Sequence, residues 1–323
     1  MNARSLPPFV ATLLTALALA LVSSVLVTLS ASSAHAVKPK NDHAKMPRSC
    51  VDPADLIPQE PTLCNLTPFE DDRPTVVLWG DSHAWQMIPG LEKAAKGKDL
   101  NLVAIVMGGC PPMDNALKPD ESAPKCYKSN ELAIDYVRDL VNGGEGHRVL
   151  LAASWQRYRQ AVKDKDQSYT GQMGRAMRRA TPRLMKTLGA MQAEVDVVGQ
   201  VATVPAKRPS CRAGNTPYSC DLKRNQALAD SVGTKRYLTK LMKPLADDAS
   251  LINVNGFFCE GKVCHGKVGK LHTWWDDLHL SASMSRKLRG YFKPTIALAD
   301  ASRPGAAGGG SGSGCTFPIP ILC

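Results

Sequence analysis

Five short apolar runs, at residues 76–79, 102–107, 149–155, 195–201 and 251–254, are separated by stretches with helical spacing near 84–96, 130–142, 182–192 and 222–245. Strands with helix-sized spacers cannot pair as hairpins. They demand right-handed crossovers, and hence a parallel sheet with helices on both faces. The runs are continuously apolar rather than alternating, as strands buried on both sides require. An α/β protein with a mainly parallel five-stranded sheet follows. A last helix is expected from Ser281 as N-cap toward Ala299, bent or interrupted at Pro294.

Sheets of this kind bind ligands beyond the carboxyl ends of their strands, so the residues after each run are the ones to examine. The first run leads into Gly80-Asp81-Ser82-His83, the second into "GGCPPMD" (108–114), and the third into "AASWQRY" (152–158). After the fifth come a cysteine-bracketed loop and "WWDDLHLSA" (274–282). A serine at a strand-to-helix turn sits among unpaired backbone N–H groups that stabilise negative charge, although Asp81-Ser82 taken alone also reads as an ordinary helix cap. Asp276 and His279, three residues apart, bring a carboxylate to one imidazole nitrogen and leave the other facing the cleft. By themselves they also read as an acid complementing a helix dipole and a surface histidine. Together with Ser82 they form nucleophile, base and orienting acid. All five tryptophans, Trp79, Trp85, Trp155, Trp274 and Trp275, lie close to these motifs. Trp274 and Trp275 are the candidates to stack against sugar rings, with two or three of the five filling the core.

Residues 1–36 combine Arg4, a long uncharged apolar stretch and a small-residue ending, Ala34-His35-Ala36, which reads as a signal peptide. The stretch 8–29 is also long enough to span a bilayer, so an uncleaved anchor in the cytoplasmic membrane is the alternative to a secreted or periplasmic protein. Residues 37–73, rich in Pro, Lys and Asp, read as an extended leader with a small share of the core. Residues 74–300 form the main domain, 301–314 a Gly/Ser-rich linker, and 315–323 a short tail bracketed by Cys315 and Cys323. All ten cysteines follow the signal segment. Their even number fits an oxidising compartment, and their spacing favours pairing in order: Cys50–Cys64, Cys110–Cys126, Cys211–Cys220, Cys259–Cys264 and Cys315–Cys323. A zinc site is disfavoured, because there is no C-x-x-C and the histidines are scattered. The formal charge of +11 favours acidic partners, which outside the cytoplasm means anionic glycans or membrane surfaces rather than nucleic acid. Arg175, Arg178, Arg179, Arg183 and Lys186 fall at helical spacing and form either a solvated face or a dock for an anionic polymer.

The motifs "GDSHAWQMIPGL", "GGCPPMD" followed by a second cysteine, "VLLAASW" and "DDLHLSA" resemble those of the SGNH (GDSL-like) hydrolases. The resemblance is nearest to the SGNH domains fused to or accompanying acyltransferase-3 membrane proteins, and it spans residues 75–299. It implies a flavodoxin-like three-layer α/β/α sandwich and ester chemistry on acylated carbohydrate without a cofactor. Ser82 is then the nucleophile, His279 the base and Asp276 its partner, with the oxyanion held by the N–H groups of Ser82 and Gly109, or Gly108 as the alternative. The family's third block, Gly-x-Asn, is replaced by Ser154-Trp155-Gln156, so a third donor falls to the Trp155 N–H or the Gln156 amide. The acyl donor would come from a separate membrane acyltransferase, and the membrane would be met only through an uncleaved N-terminal segment. A non-catalytic glycan-binding or assembly module on the same fold is the competing function.

Overall fold

The computed structural model describes residues 41–114, 124–144, 146–205, 220–247 and 249–301. The expected signal peptide, linker and tail lie outside the described residues, as does at least one partner of the Cys211–Cys220 and Cys315–Cys323 bridges.

The five expected strands form one parallel sheet. They are β2 (Thr75–Gly80), β3 (Asn101–Val106), β4 (Arg148–Ala152), β5 (Glu194–Val198) and β7 (Leu251–Ile252), with a short antiparallel edge strand, β1 (Cys64–Asn65), on β3. The sheet order is β1-β3-β2-β4-β5-β7. Helices fill the crossovers: α1 (Ser82–Trp85) and α2 (Ile88–Ala95), α3 (Pro124–Gly143), α4 (Trp155–Lys163) and α5 (Tyr169–Ala190), then α6 (Arg224–Ala227) and α7 (Ser231–Leu241). Helices α8 (Ala282–Lys287) and α9 (Arg289–Ala301) close the described chain. Successive strand residues point to opposite faces. Val76 and Leu78 therefore pack with Ile88, Leu91, Met284, Leu288 and Phe292 on one side. Val77 and Trp79 pack with Ile134, Met177, Leu184 and Leu188 on the other. This is the flavodoxin-like three-layer sandwich.

At the amino ends of the strands, the fully buried Arg148 pairs with Glu194 at 2.8 Å and with Asp196 at 3.4 Å. Asp196 also accepts from the Ser250 and Thr295 hydroxyls. A buried charge cluster is tolerated because each member has partners, and here it ties β4, β5 and α9 together at the end away from Ser82.

Several boundaries differ from the sequence pattern. The third apolar run overshoots: β4 stops at Ala152, and Trp155 is buried as the first residue of α4. Burial continues across a change of element, which periodicity does not register. The segment 222–245 is broken into β6 (Leu222–Lys223), α6 and α7. The break lies near Asp230, whose backbone N–H goes to Gln156 and whose carboxylate goes to Arg159 and Lys163. Pro182 lies inside α5 rather than at a helix start. The final helical segment breaks at Leu288, not Pro294, where the Ser285 hydroxyl accepts the Gly90 N–H of α2.

The leader contributes more to the core than its composition suggests. Ala44, Met46, Cys50 and Cys64 are buried in the core. Within the leader the Cys50–Cys64 disulfide ties the segment around Cys50 to β1, and Asp42 accepts from the N–H and hydroxyl of Ser283 at the start of α8. The chain between β7 and α8 supplies two small antiparallel sheets: β8 (Cys259–Glu260) and β9 (Val263–Cys264), which pair with β6 from before β7, and β10 (Lys267–Val268) with β11 (Leu271–His272). The Cys259–Cys264 disulfide ties the β8–β9 hairpin.

Candidate active site

At the carboxyl end of β2 the chain turns sharply into α1. Gly80 has φ +154°, and a Cβ there would meet the Ala152 carbonyl oxygen at 1.8 Å, so glycine is what lets β2 and β4 end side by side. Asp81 then caps α1, accepting the His83 N–H at 2.7 Å. Its other oxygen accepts the Ser154 N–H at 3.0 Å and the Tyr158 hydroxyl at 2.9 Å, both from the end of β4 and α4. Burial raises the Asp81 pKa despite these hydrogen bonds. Asp81 thus takes the capping role and fixes the turn on which Ser82 stands.

The second half of the site comes from the segment before α8. Asp276 Oδ1 accepts the N–H groups of Leu278 at 2.8 Å and His279 at 2.7 Å, a local turn that aims its carboxylate at the imidazole. His279 Nδ1 lies 2.8 and 3.0 Å from the two Asp276 oxygens, and Nε2 lies 2.7 Å from Ser82 Oγ. A carboxylate can only accept, so Nδ1 carries the proton and Nε2 is left to accept from the Ser82 hydroxyl. Burial works against the charge on Asp276, but the His279 side chain and the two backbone N–H groups outweigh it and hold the pKa below the ordinary value. Ser82, His279 and Asp276, 197 and 3 residues apart along the chain, are thereby brought into one hydrogen-bonded line. That line can take a proton from an attacking hydroxyl and stabilise the resulting imidazolium.

Ser82 opens into a cavity of about 370 Å³ whose lining includes Gln59, Gly109, Ser154, Arg157 and Tyr169. Gly108 donates its N–H to Pro58 O at 3.1 Å, so that N–H is already engaged. Gly109, at φ +70° and with Tyr169 3.1 Å from where a Cβ would be, is a position that glycine suits. Its loop is anchored by the Cys110–Cys126 disulfide. It is anchored too by Asn130, whose Oδ1 accepts from the Trp79 indole and the Met113 N–H and whose Nδ2 donates to Pro111 O and Cys126 O. From α5, the Thr181 hydroxyl donates to Pro112 O.

Three expected contributors fall elsewhere. Trp155 is fully buried and its indole N–H donates to Val198 O at 2.9 Å, so the ring offers nothing to an oxyanion. The Gln156 backbone N–H goes to Gln200 Oε1, and its side-chain amide oxygen accepts the Asp230 N–H at the start of α7. Trp274 is likewise fully buried, donating to Ala202 O; it belongs to the core and is no sugar platform. Trp275 is partly exposed, its ring 6.4 Å from that of His279 and 5.0 Å from that of His43 in the leader. Trp79 and Trp85 are core residues.

The sequence did not single out Tyr169, which is 40% exposed, or Gln59 of the leader, because each reaches the cavity from a distant part of the chain. Arg157 and Tyr158 stood inside the third motif without an assigned role. Two lining groups, both ring nitrogens of His83 and the Ser154 hydroxyl, are buried and have no hydrogen-bond partner among the described residues. Burial, then the charges of His279 and Arg157, depress the His83 pKa well below the usual histidine value, so His83 stays neutral beside His279.

A family model described as SGNH domain (fused to AT3 domains) matches residues 49–294. No curated protein matches the chain. Among solved structures the chain is similar to the periplasmic domain of the Salmonella ser. Paratyphi A lipopolysaccharide acetyltransferase, at 17% identity over 71% of this chain and 85% of that one, with a TM-score of 0.48.

Proposed function

From the premise that this chain belongs to the SGNH domains of the kind fused to AT3 domains, we propose that it is an extracytoplasmic serine O-acyltransferase or O-acyl esterase acting on a cell-envelope or secreted polysaccharide. The observation that carries this reading is the line from Ser82 through His279 to Asp276, opening into a strand-end cavity with Gly109. His279 takes the Ser82 proton as Oγ attacks the acyl carbon. The N–H groups of Ser82 and Gly109 hold the oxyanion, and the unpartnered Ser154 hydroxyl supplies the third hydrogen bond in place of the missing Gly-x-Asn. The intermediate collapses, the leaving alkoxide takes the proton from His279, and acyl-Ser82 remains. In the second half His279 deprotonates the acceptor, which attacks the acyl group, and Ser82 is released.

Water as acceptor gives an esterase, and a sugar hydroxyl gives a transferase. We favour transfer in the cell, with the acyl group delivered by a separate membrane protein, and slow hydrolysis in isolation. Three disulfides among the described residues support an oxidising compartment. No helix of the described residues is long and apolar enough to cross a membrane. The decisive measurement is mass spectrometry of products from an acyl donor and an unacylated envelope glycan, with Ser82→Ala as control. Acylated glycan that depends on Ser82 is expected. Rapid release of free acid without acylated glycan would make the protein an esterase, and full activity in Ser82→Ala would remove the triad reading.

A further inference from the structure

A second cavity, of about 460 Å³, opens at the carboxyl ends of β5 and β7. Gln200 and Asn253, just past those strands, form one side, and α6 and α7 bring Arg224 and Lys235 to the other. Two cations line it, and among its described lining residues none is acidic. Asp230, close by in the chain, is engaged by Arg159 and Lys163 at 3.2 and 3.0 Å. The Thr234 hydroxyl is fully buried within the lining and has no hydrogen-bond partner among the described residues. Val232, 71% exposed, adds an apolar surface at the edge. Cations, an orphaned hydroxyl and an apolar wall are together what a sugar ring bearing a carboxylate would engage.

The position matters as much as the lining. β5 is two strands from β2 in the sheet, and strands lie about 4.8 Å apart, so the end of β5 lies about 10 Å from the strand end that carries Ser82. A hydrogen bond links the two cavities: Gln156, beside the catalytic-cavity residue Arg157, donates its N–H to Gln200 Oε1, on the lining of the second cavity, at 2.7 Å.

We propose that the second cavity is a subsite for a carboxylate-bearing sugar unit of the same polymer whose reacting hydroxyl or ester occupies the Ser82 cavity. The substrate is then an acidic polysaccharide. This deepens the acyl-transfer reading and rests on it. The test is therefore run as binding to Ser82→Ala protein, which returns an answer whether or not Ser82 is a nucleophile.

The probes are a hexamer of galacturonic acid, the same hexamer with its carboxyl groups reduced, and inorganic phosphate, titrated calorimetrically at fixed salt. The acidic hexamer is expected to bind at least 10-fold more tightly than the reduced one. Adding Arg224→Gln and Lys235→Gln together should weaken the acidic hexamer at least 10-fold and the reduced one less than 2-fold. Lys235→Gln alone, on an exposed helical position, should show a smaller loss in the same direction and covers the case in which the double variant unfolds. Equal affinity for the two hexamers, or unchanged affinity in the variants, would overturn the proposal. Phosphate binding as tight as that of the acidic hexamer would overturn the sugar assignment in favour of a general anion site.

Discussion

Asp276 and Ser154 have the sharpest expectations at the scale of single residues. Asp276 orients His279 and keeps its proton on Nδ1, so Asp276→Asn should lower the turnover of an ester substrate by about 10³–10⁴-fold with little change in fold. The same carboxyl carries a pH signature. Its pKa in the folded protein lies below its ordinary value of 3.8, so the stability it contributes is fully present above about pH 4 and is lost as pH falls through the lowered value. Thermal unfolding of the protein and of Asp276→Asn between pH 2 and 7 should give midpoints that converge toward the acid end. A gap that stays constant would mean that the carboxylate does not titrate as described. Ser154→Ala removes a hydroxyl that has no partner in the free protein, so it should cost little stability. As the third oxyanion donor, however, it should cost about 10²-fold in kcat, with KM nearly unchanged. A loss confined to KM would mean that Ser154 binds substrate and does not hold the oxyanion.

The loop after β3 shows how an element is held ready. The chain-entropy model assigns a disulfide closing a loop of about 15 residues roughly 3 kcal/mol, and Cys110–Cys126, with a sequence separation of 16, is of that size. Asn130 on α3 fixes the loop more specifically, because one amide reaches the Trp79 indole, Met113, Pro111 and Cys126. Asn130→Ala would strand the buried indole and Met113 N–H groups at about 1–3 kcal/mol each. A lower unfolding midpoint is expected, with a fall in kcat beyond what lost folded protein explains, measured on enzyme counted by active-site titration. A normal kcat per titrated site would show that Gly109 does not depend on Asn130. The strand runs and the motifs at their ends were legible in the sequence because buried parallel strands are continuously apolar and the chemistry sits where they stop. Trp155, expected as an oxyanion donor, and Trp274, expected as a sugar platform, both prove to be core residues. A tryptophan near a site has the composition of a ligand contact, and only its burial and the carbonyl that receives its indole N–H reveal it as core. Tyr169 and Gln59 were illegible because no local pattern records which distant segments the fold brings to the mouth of a cavity. The break at Leu288 escaped because Pro294 is the louder signal, while the contact of Ser285 with Gly90 is tertiary.

The whole molecule carries a formal charge of +11, and its distribution separates two ways of meeting an acidic polymer. Helix α5 buries Met173, Met177, Leu184 and Leu188 and turns Arg178, Arg179, Arg183 and Lys186 outward as exposed residues. Arg175 does not belong with them, since it is half-buried and donates to the Asp166 carbonyl at 2.7 Å, bracing the turn between α4 and α5. Exposed charges act over roughly a Debye length, about 10 Å at 0.1 M salt and about 3 Å at 1 M. The outward face of α5 should therefore speed the capture of a polyanion without fixing where it binds. A triple variant, Arg178→Gln, Arg179→Gln and Arg183→Gln, is expected to slow the association of a polyuronate by roughly 3–10-fold at 20 mM salt, to leave its dissociation unchanged, and to become indistinguishable from the parent at 1 M. Surface-based kinetics across that salt series tests it. The cavity variant at Arg224 and Lys235 should behave oppositely, with faster dissociation that persists at high salt, because its partner is held in contact rather than steered. A dissociation rate that rises in the α5 variant at every salt concentration would place the polymer on the helix itself and defeat the steering role.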